Sequence, residues 1–348
     1  MKKLCLIIIA LCIPALMGFS WGQRESKSKV TLNVYNWGDY IDEDVLDSFE
    51  EETGIKVNYE TFATNEDMYV KVKQGGTKFD VIIPSDYMIA RMIKEDLLEK
   101  IDATRLPTFK NIDPRFLKLE FDPKNEYSVP YMWGTLGILY NKKMVDKKVD
   151  SWNILWDKKY AKQILMMDSV RDTLAVAFMC LGYSLNTTDK GKLQEAAELL
   201  IKQKPLVRAY VGDNGKDMMI NGEAALSVNY SGDAVFAMEK NPDLAYAIPK
   251  EKTNLWVDSM VVPKNSAHKK EALLFIDFMN SSEIAKMNAE FIGYSTPNKE
   301  TFALLDAETR NNPAAYPGDK DLPPWEVFVD IGEANAEYSR VWTEIKSK

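Results

Sequence analysis

The segment Trp256-Val257-Asp258 sets an indole and a carboxylate two residues apart. Alternate side chains of a strand share a face, so Trp256 and Asp258 would stand together, with Val257 and Ser259 opposite. Such a pair can hold an organic cation, because the ring face attracts positive charge and the carboxylate pairs with it. The plainer reading is a half-buried Trp beside a solvent-facing acid. The same mixture recurs in Asn36-Trp37-Gly38-Asp39-Tyr40, Ser85-Asp86-Tyr87, Asp172, Tyr230-Ser231-Gly232-Asp233 and Tyr294. Lysine and arginine are nearly absent from these segments, apart from Arg171. A pocket for a phosphate or carboxylate would carry basic groups or Gly-rich backbone donors. This set suits a cation with an aliphatic body. A cation over a ring gains roughly 0.5–2 kcal/mol, and an ion pair at about 4 Å is worth about 4 kcal/mol at an effective dielectric of 20. A lone buried carboxylate is costly, so several in one cleft imply a ligand with several positive charges. Each residue also has an ordinary role open to it. Trp37 and Tyr40 could be core, and Asp39, Asp172 and Asp233 could be helix caps or first-turn acids.

The elements that would position these residues can be read from patterning. Residues 30–35 alternate as a strand, and a helix with Ile41, Val45, Leu46 and Phe49 on one face stops at Gly54. A strand over 55–59, a helix over 66–74 and a continuous apolar strand over 79–83 follow. Strand and helix alternate, which predicts an α/β class with a mostly parallel sheet. Residues 127–141 form a long aromatic extended stretch suited to a crossing between two domains. Further strands are expected at 164–167, 225–229, 244–248 and from 255 to Pro263, and helices from Asp172 to Leu181 and at 192–202, 234–240, 269–279 and 283–291. The tail over 325–345 reads as helix. The candidate residues fall just after strands, where ligands of open α/β sheets are met.

Composition narrows the function. At 348 residues and 46% hydrophobic, the chain can build two domains. Its net charge of −8 argues against nucleic acid as partner and tolerates a cationic one. The single histidine, His268, excludes His-based catalysis and multi-His metal sites, and no metal or cofactor is expected. The N-terminus reads as an export segment over 1–22: Lys2 and Lys3, an uncharged stretch, then Ser20-Trp21-Gly22, with cleavage after Gly22. Cys12 after Ile9-Ala10-Leu11 loosely fits a lipid-bearing processing site instead; an uncleaved anchor helix is disfavoured by Pro14. Cys180 is the one cysteine of the body, in an apolar helix, where a buried inert thiol is expected.

At Asn36-Trp37 with Tyr40, Glu52-Thr53-Gly54-Ile55-Lys56-Val57, Tyr127-Ser128-Val129-Pro130-Tyr131 with Trp133-Gly134, Trp256 with Asp258-Ser259, and Ile292-Gly293-Tyr294 with Thr296-Pro297-Asn298, the chain resembles the periplasmic spermidine/putrescine-binding family of bacterial ABC importers. Asn65-Glu66 with Met68-Tyr69, and Leu181-Gly182-Tyr183-Ser184 with Asn186-Thr187-Thr188, carry the same resemblance. It implies a type II periplasmic-binding-protein fold: two α/β lobes joined by crossing strands, closing on a ligand. The implied lobes are residues 28–136 plus 257–303, and 137–256 plus 304–348, with Trp256 at the hinge. Carried over by position, Trp37, Tyr40, Tyr87, Trp256 and Tyr294 would box the alkyl chain. Asp39, Asp172 and Asp258 would pair with ammonium groups, and Ser85 would help at the wall. Ser169 stands where spermidine-type members carry a second acid, and Tyr230 where they carry Trp. Asp233 is similar to putrescine-type members, and the tail contacts near Glu326 to Asp330 stay open. The implied function is a non-catalytic periplasmic receptor, monomeric, touching a membrane only through an N-terminal lipid and delivering a polyamine to an inner-membrane permease. A sugar receptor of the same architecture is the alternative, since rings stack on sugars, although such sites add donors these segments lack.

Overall fold

The computed structural model describes residues 30–212 and 214–348. The export segment, with Cys5, Cys12 and the junction after Gly22, lies outside the described residues. Among the described residues there are ten strands: β1 (Thr31–Trp37), β2 (Lys56–Phe62), β3 (Val81–Ile82), β4 (Ser128–Asn141), β5 (Ile164–Met167), β6 (Val207–Val211), β7 (Leu226–Tyr230), β8 (Leu244–Ala247), β9 (Thr253–Val261) and β10 (Trp325–Glu326). Their order is β2-β1-β3-β9-β4-β7-β5-β6, with β10 beside β9 and β8 beside β4. β1 pairs in parallel with β2 and β3, and β5 does so with β6 and β7. Between these two parallel groups run β4 and β9, antiparallel to each other and to β7 and β3.

β4 is buried at nearly every position, as its unbroken apolar and aromatic sequence requires. Met132 and Trp133 enter the two cores of the first lobe, whereas Leu136 and Leu139 enter the two cores of the second. Each lobe is thus a sheet with apolar packing on both faces. β9 obeys strand alternation: Leu255, Val257 and Val261 belong to one core, Trp256 and Met260 to the other. Two of the helices begin at side-chain caps, and the cap of the second is Ser169 rather than the candidate Asp172. Asp42 accepts from the Asp44 amide before helix Glu43–Thr53, and Ser169 accepts from the Asp172 amide before helix Val170–Leu181.

The structure departs from the sequence expectations at several places. β3 spans two residues, because only Val81 and Ile82 pair with neighbours. β6 and helix Asn214–Ile220 are additional elements. The tail is not helical throughout: Trp325 and Glu326 follow Pro323-Pro324 and pair in parallel with Thr253 and Asn254, and the helix starts only at Ala334. Residues 304–327 were expected with the second lobe, yet much of this stretch packs on the first. Ser295 Oγ donates to the Ala315 carbonyl at 2.6 Å, the Tyr316 ring lies 4.9 Å from Phe302, and Val327 joins the core containing Trp133. Phe328 onward returns to the second lobe, with Ile331, Tyr338, Val341 and Ile345 in its core.

Candidate functional site

The turn after β1 is tied by Asn36 Nδ2 and the Tyr131 hydroxyl, which donate to the Tyr40 carbonyl at 3.1 and 2.8 Å. Asp39 takes φ 51° in this turn, a conformation Asp tolerates better than most residues. The turn directs Tyr40 inward, where it is buried, and leaves Asp39 exposed. The Tyr40 hydroxyl donates to Asp258 Oδ2 at 2.8 Å. From Tyr40 a row of rings runs across the molecule. Tyr294 lies 5.7 Å from Tyr40 edge-on, Trp256 lies 5.3 Å from Tyr294, and Tyr230 lies 5.9 Å from Trp256. The Tyr230 hydroxyl then donates to Asp172 Oδ2 at 3.0 Å. Four rings in a row therefore carry one carboxylate at each end, each held by the hydroxyl of the terminal tyrosine.

Two glycines let this row form. A Cβ on Gly134 of β4 would lie 2.4 Å from the Trp256 ring, so the indole rests on bare backbone where β4 and β9 cross. A Cβ on Gly232 would lie 1.5 Å from the Tyr294 ring. Gly232 belongs to helix Ser231–Lys240 of the second lobe, and Tyr294 follows helix Ser282–Ile292, whose Ala289 is in the first lobe's core. The row thus lies where the lobes meet.

Burial sets the electrostatics. Asp258 is 7% exposed; desolvation pushes its carboxyl up to about 6, against hydrogen bonds from Ser85 and Tyr40 that favour the charged form. Ser85 also bridges to Asp258 along the backbone. Asp172 is raised by burial too, although Ser169 Oγ, at 2.5 Å, and Tyr230 oppose the shift. Burial likewise raises the Tyr40 and Tyr230 phenols well above their ordinary value, helped by the adjacent acids, so both stay donors. The indole Nε1 of Trp37 and of Trp256, and one carboxylate oxygen each of Asp86 and Asp172, are buried without a hydrogen-bond partner. Buried polar atoms without partners are exceptional and point to a group they were built to receive.

Tyr40, Ser85, Asp172, Tyr230, Trp256, Asp258 and Tyr294 are brought together. Tyr87 stands at the edge, its hydroxyl bonded to Asn65 and Glu66 at 3.1 Å each and its ring 5.8 Å from the Arg171 guanidinium. Trp37 packs on Phe62 at 4.6 Å. Asp39 and Asp233 fall outside the row. Asp39 lies in the exposed turn and acts on Tyr59, whereas Asp233 pairs with Lys216 at 3.6 Å from the neighbouring helix. In the tail, Glu326 pairs with Lys252 and accepts from Ser184 at 2.8 Å, and Phe328 packs 4.4 Å from Arg171. Asp86 was visible within Ser85-Asp86-Tyr87, but an acid in a first helical turn ordinarily faces solvent and the helix dipole. Here it is 1% exposed.

Two α/β lobes hung on shared strands, with rings and acids where they meet, are the architecture of a two-lobed solute receptor. The chain belongs to the bacterial extracellular solute-binding proteins, whose family model matches residues 44–317. It is 38% identical over 320 residues to the spermidine/putrescine-binding periplasmic protein of Salmonella typhimurium, spanning 91% of this chain and 92% of that one. To the putrescine-binding periplasmic protein PotF of Escherichia coli it is 30% identical over 354 residues, 96% and 95% of the two chains. Among solved structures, the spermidine/putrescine ABC transporter substrate-binding protein PotD of Streptococcus pneumoniae superposes with a TM-score of 0.82 at 44% identity. That match covers 91% of this chain and 99% of the other.

Proposed function

We propose that this protein is the polyamine receptor of an ABC importer: it captures putrescine or spermidine between its lobes and delivers it to a membrane permease. The observation that carries the reading is the row of four rings with Asp258 and Asp172 at its ends. An alkyl chain lies against ring faces, and ammonium groups at its ends meet the two acids. Closing the lobes over an empty cleft would bury uncompensated carboxylates; a polycation removes that penalty, so ligand and closure favour each other. The spermidine/putrescine-binding relatives support a polyamine over a sugar.

In this reading Trp37 and Tyr87 flank the row and Ser85 braces Asp258. The lobes divide near Thr135 and Leu255, and the tail re-enters the second lobe at Phe328. The protein works outside the cytoplasm without catalysis, and the mass of the mature chain separates cleavage after Gly22 from lipidation at Cys12. Isothermal titration calorimetry with putrescine and spermidine tests the function. Micromolar or tighter binding of at least one amine is expected, and heat from neither would refute it.

A further inference from the structure

Three rings of the row are placed by their own elements or side chains: Trp256 on β9, Tyr230 at the end of β7, and Tyr40 by the hydroxyl it gives to Asp258. Tyr294 is carried instead by a turn, residues 293–298, between helices Ser282–Ile292 and Lys299–Leu304. The backbone just after its ring is held by two segments. From β4, the Trp133 amide donates to the Ser295 carbonyl at 3.0 Å, and the Trp133 Nε1 donates to the Thr296 carbonyl at 3.1 Å. From the tail, the Ala315 carbonyl accepts from Ser295 Oγ at 2.6 Å, and the Tyr316 hydroxyl accepts from the Thr296 amide at 3.0 Å. Ser295 is 2% and Thr296 5% exposed, so the protein itself has to satisfy these groups. Tyr316 is fixed in its turn. Its amide donates to the Asn312 carbonyl at 2.8 Å, and its ring lies 4.9 Å from Phe302 and 6.2 Å from Trp133.

We propose that Tyr316 is a positioning residue for ligand binding: its hydroxyl, accepting from the Thr296 amide, holds the turn that aims Tyr294 at Trp256 and at Gly232 of the other lobe. This rests on the polyamine reading above and adds a residue that is not itself in the row of rings. The Tyr294 ring is closely fitted. It lies 5.7 Å from Tyr40 and 5.3 Å from Trp256, and it fills the space that a Cβ on Gly232 would need. Without the Tyr316 oxygen a buried amide loses its acceptor, which is costly, and the turn relieves the loss by moving. Tyr294, two residues from Thr296, moves with it. A ring already held in its working position spares the free energy that ordering it on binding would cost.

Calorimetry at pH 7.5, with whichever of putrescine and spermidine the wild type binds more tightly, tests this. Tyr316→Phe keeps the ring beside Phe302 and Trp133 and removes only the oxygen. Its Kd should rise about five- to tenfold while far-UV circular dichroism keeps the wild-type shape. A double-mutant cycle with Tyr294→Ala shows whether the effect runs through that ring. In the Tyr294→Ala protein, Tyr316→Phe should change Kd less than about twofold, because no ring is left to aim. Leu193→Ala, in the core of the second lobe on helix Lys190–Gln203, is the comparison for general destabilisation. It should lower Tm and leave Kd within about twofold of wild type. An unchanged Kd in Tyr316→Phe overturns the proposal. So does the same loss without the Tyr294 ring, or an equal loss in Leu193→Ala. If the wild type binds neither amine, the polyamine reading falls and this inference with it; if the wild type binds and Tyr316→Phe is silent, this inference falls alone.

Discussion

Replacing Asp258 by Asn should weaken ligand binding and stabilise the ligand-free protein at the same time. The carboxyl is 7% exposed and shifted from its ordinary 3.8 to about 6 by burial. At about 1.4 kcal/mol per pH unit, keeping it ionised at pH 7.5 costs the folded protein ~3 kcal/mol. Asn keeps an oxygen to accept from the Tyr40 hydroxyl, now 2.8 Å from Oδ2, and carries no charge to desolvate. The ligand-free variant should therefore be more stable by ~1–3 kcal/mol, a rise of a few degrees in Tm for a chain of this size. Binding moves the other way. An ammonium about 4 Å from the carboxylate gains about 4 kcal/mol at an effective dielectric of 20, and its neutral replacement keeps roughly 1 kcal/mol of hydrogen bond. The net loss of ~3 kcal/mol raises Kd on the order of 100-fold. Thermal unfolding without ligand and calorimetry with putrescine measure the two effects. A variant that unfolds at lower temperature yet binds with unchanged Kd would refute the reasoning, because it would make Asp258 a structural acid only.

The pH dependence follows from the same residue. Burial raises the Asp258 carboxyl to about 6, and a cationic ligand requires the ionised form. Affinity should thus be flat above pH 7 and fall about tenfold per unit once the pH drops well below 6; calorimetry between pH 5 and 8 reads it. Gly232→Ala would place a Cβ 1.5 Å from the Tyr294 ring and force the ring or the lobes apart. Its Kd should rise tenfold or more while far-UV circular dichroism keeps the wild-type shape.

Much of the fold was legible because its signals are local. The helix end at Gly54 and the alternation through Leu255, Trp256 and Val257 depend on neighbours a few residues away. The tail was not legible, since the conformation of Trp325 and Glu326 is fixed by pairing with β9, far earlier in the chain. In the site, acids and rings at strand ends could be named from sequence, and six of them come together, with Ser85 beside them. Asp39 and Asp233 carry the same local signal as Asp172, an acid just after a strand and near a helix start. They are set apart by an exposed turn in one case and by Lys216 in the other.

Sequence alone determined the ingredients: two alternating α/β patterns, a long strand able to cross between them, and ring-plus-carboxylate segments poor in basic residues. It could do so because residue type and spacing fix helix, strand and facing side. Only the tertiary structure decided which acids remain without a counter-ion. Tyr40 reaches Asp258 across 218 residues, and the Tyr87 ring comes to 5.8 Å from the Arg171 guanidinium of the other lobe. A buried charge takes its energy from whatever stands within a few ångströms, and that company is assembled from segments distant in the chain.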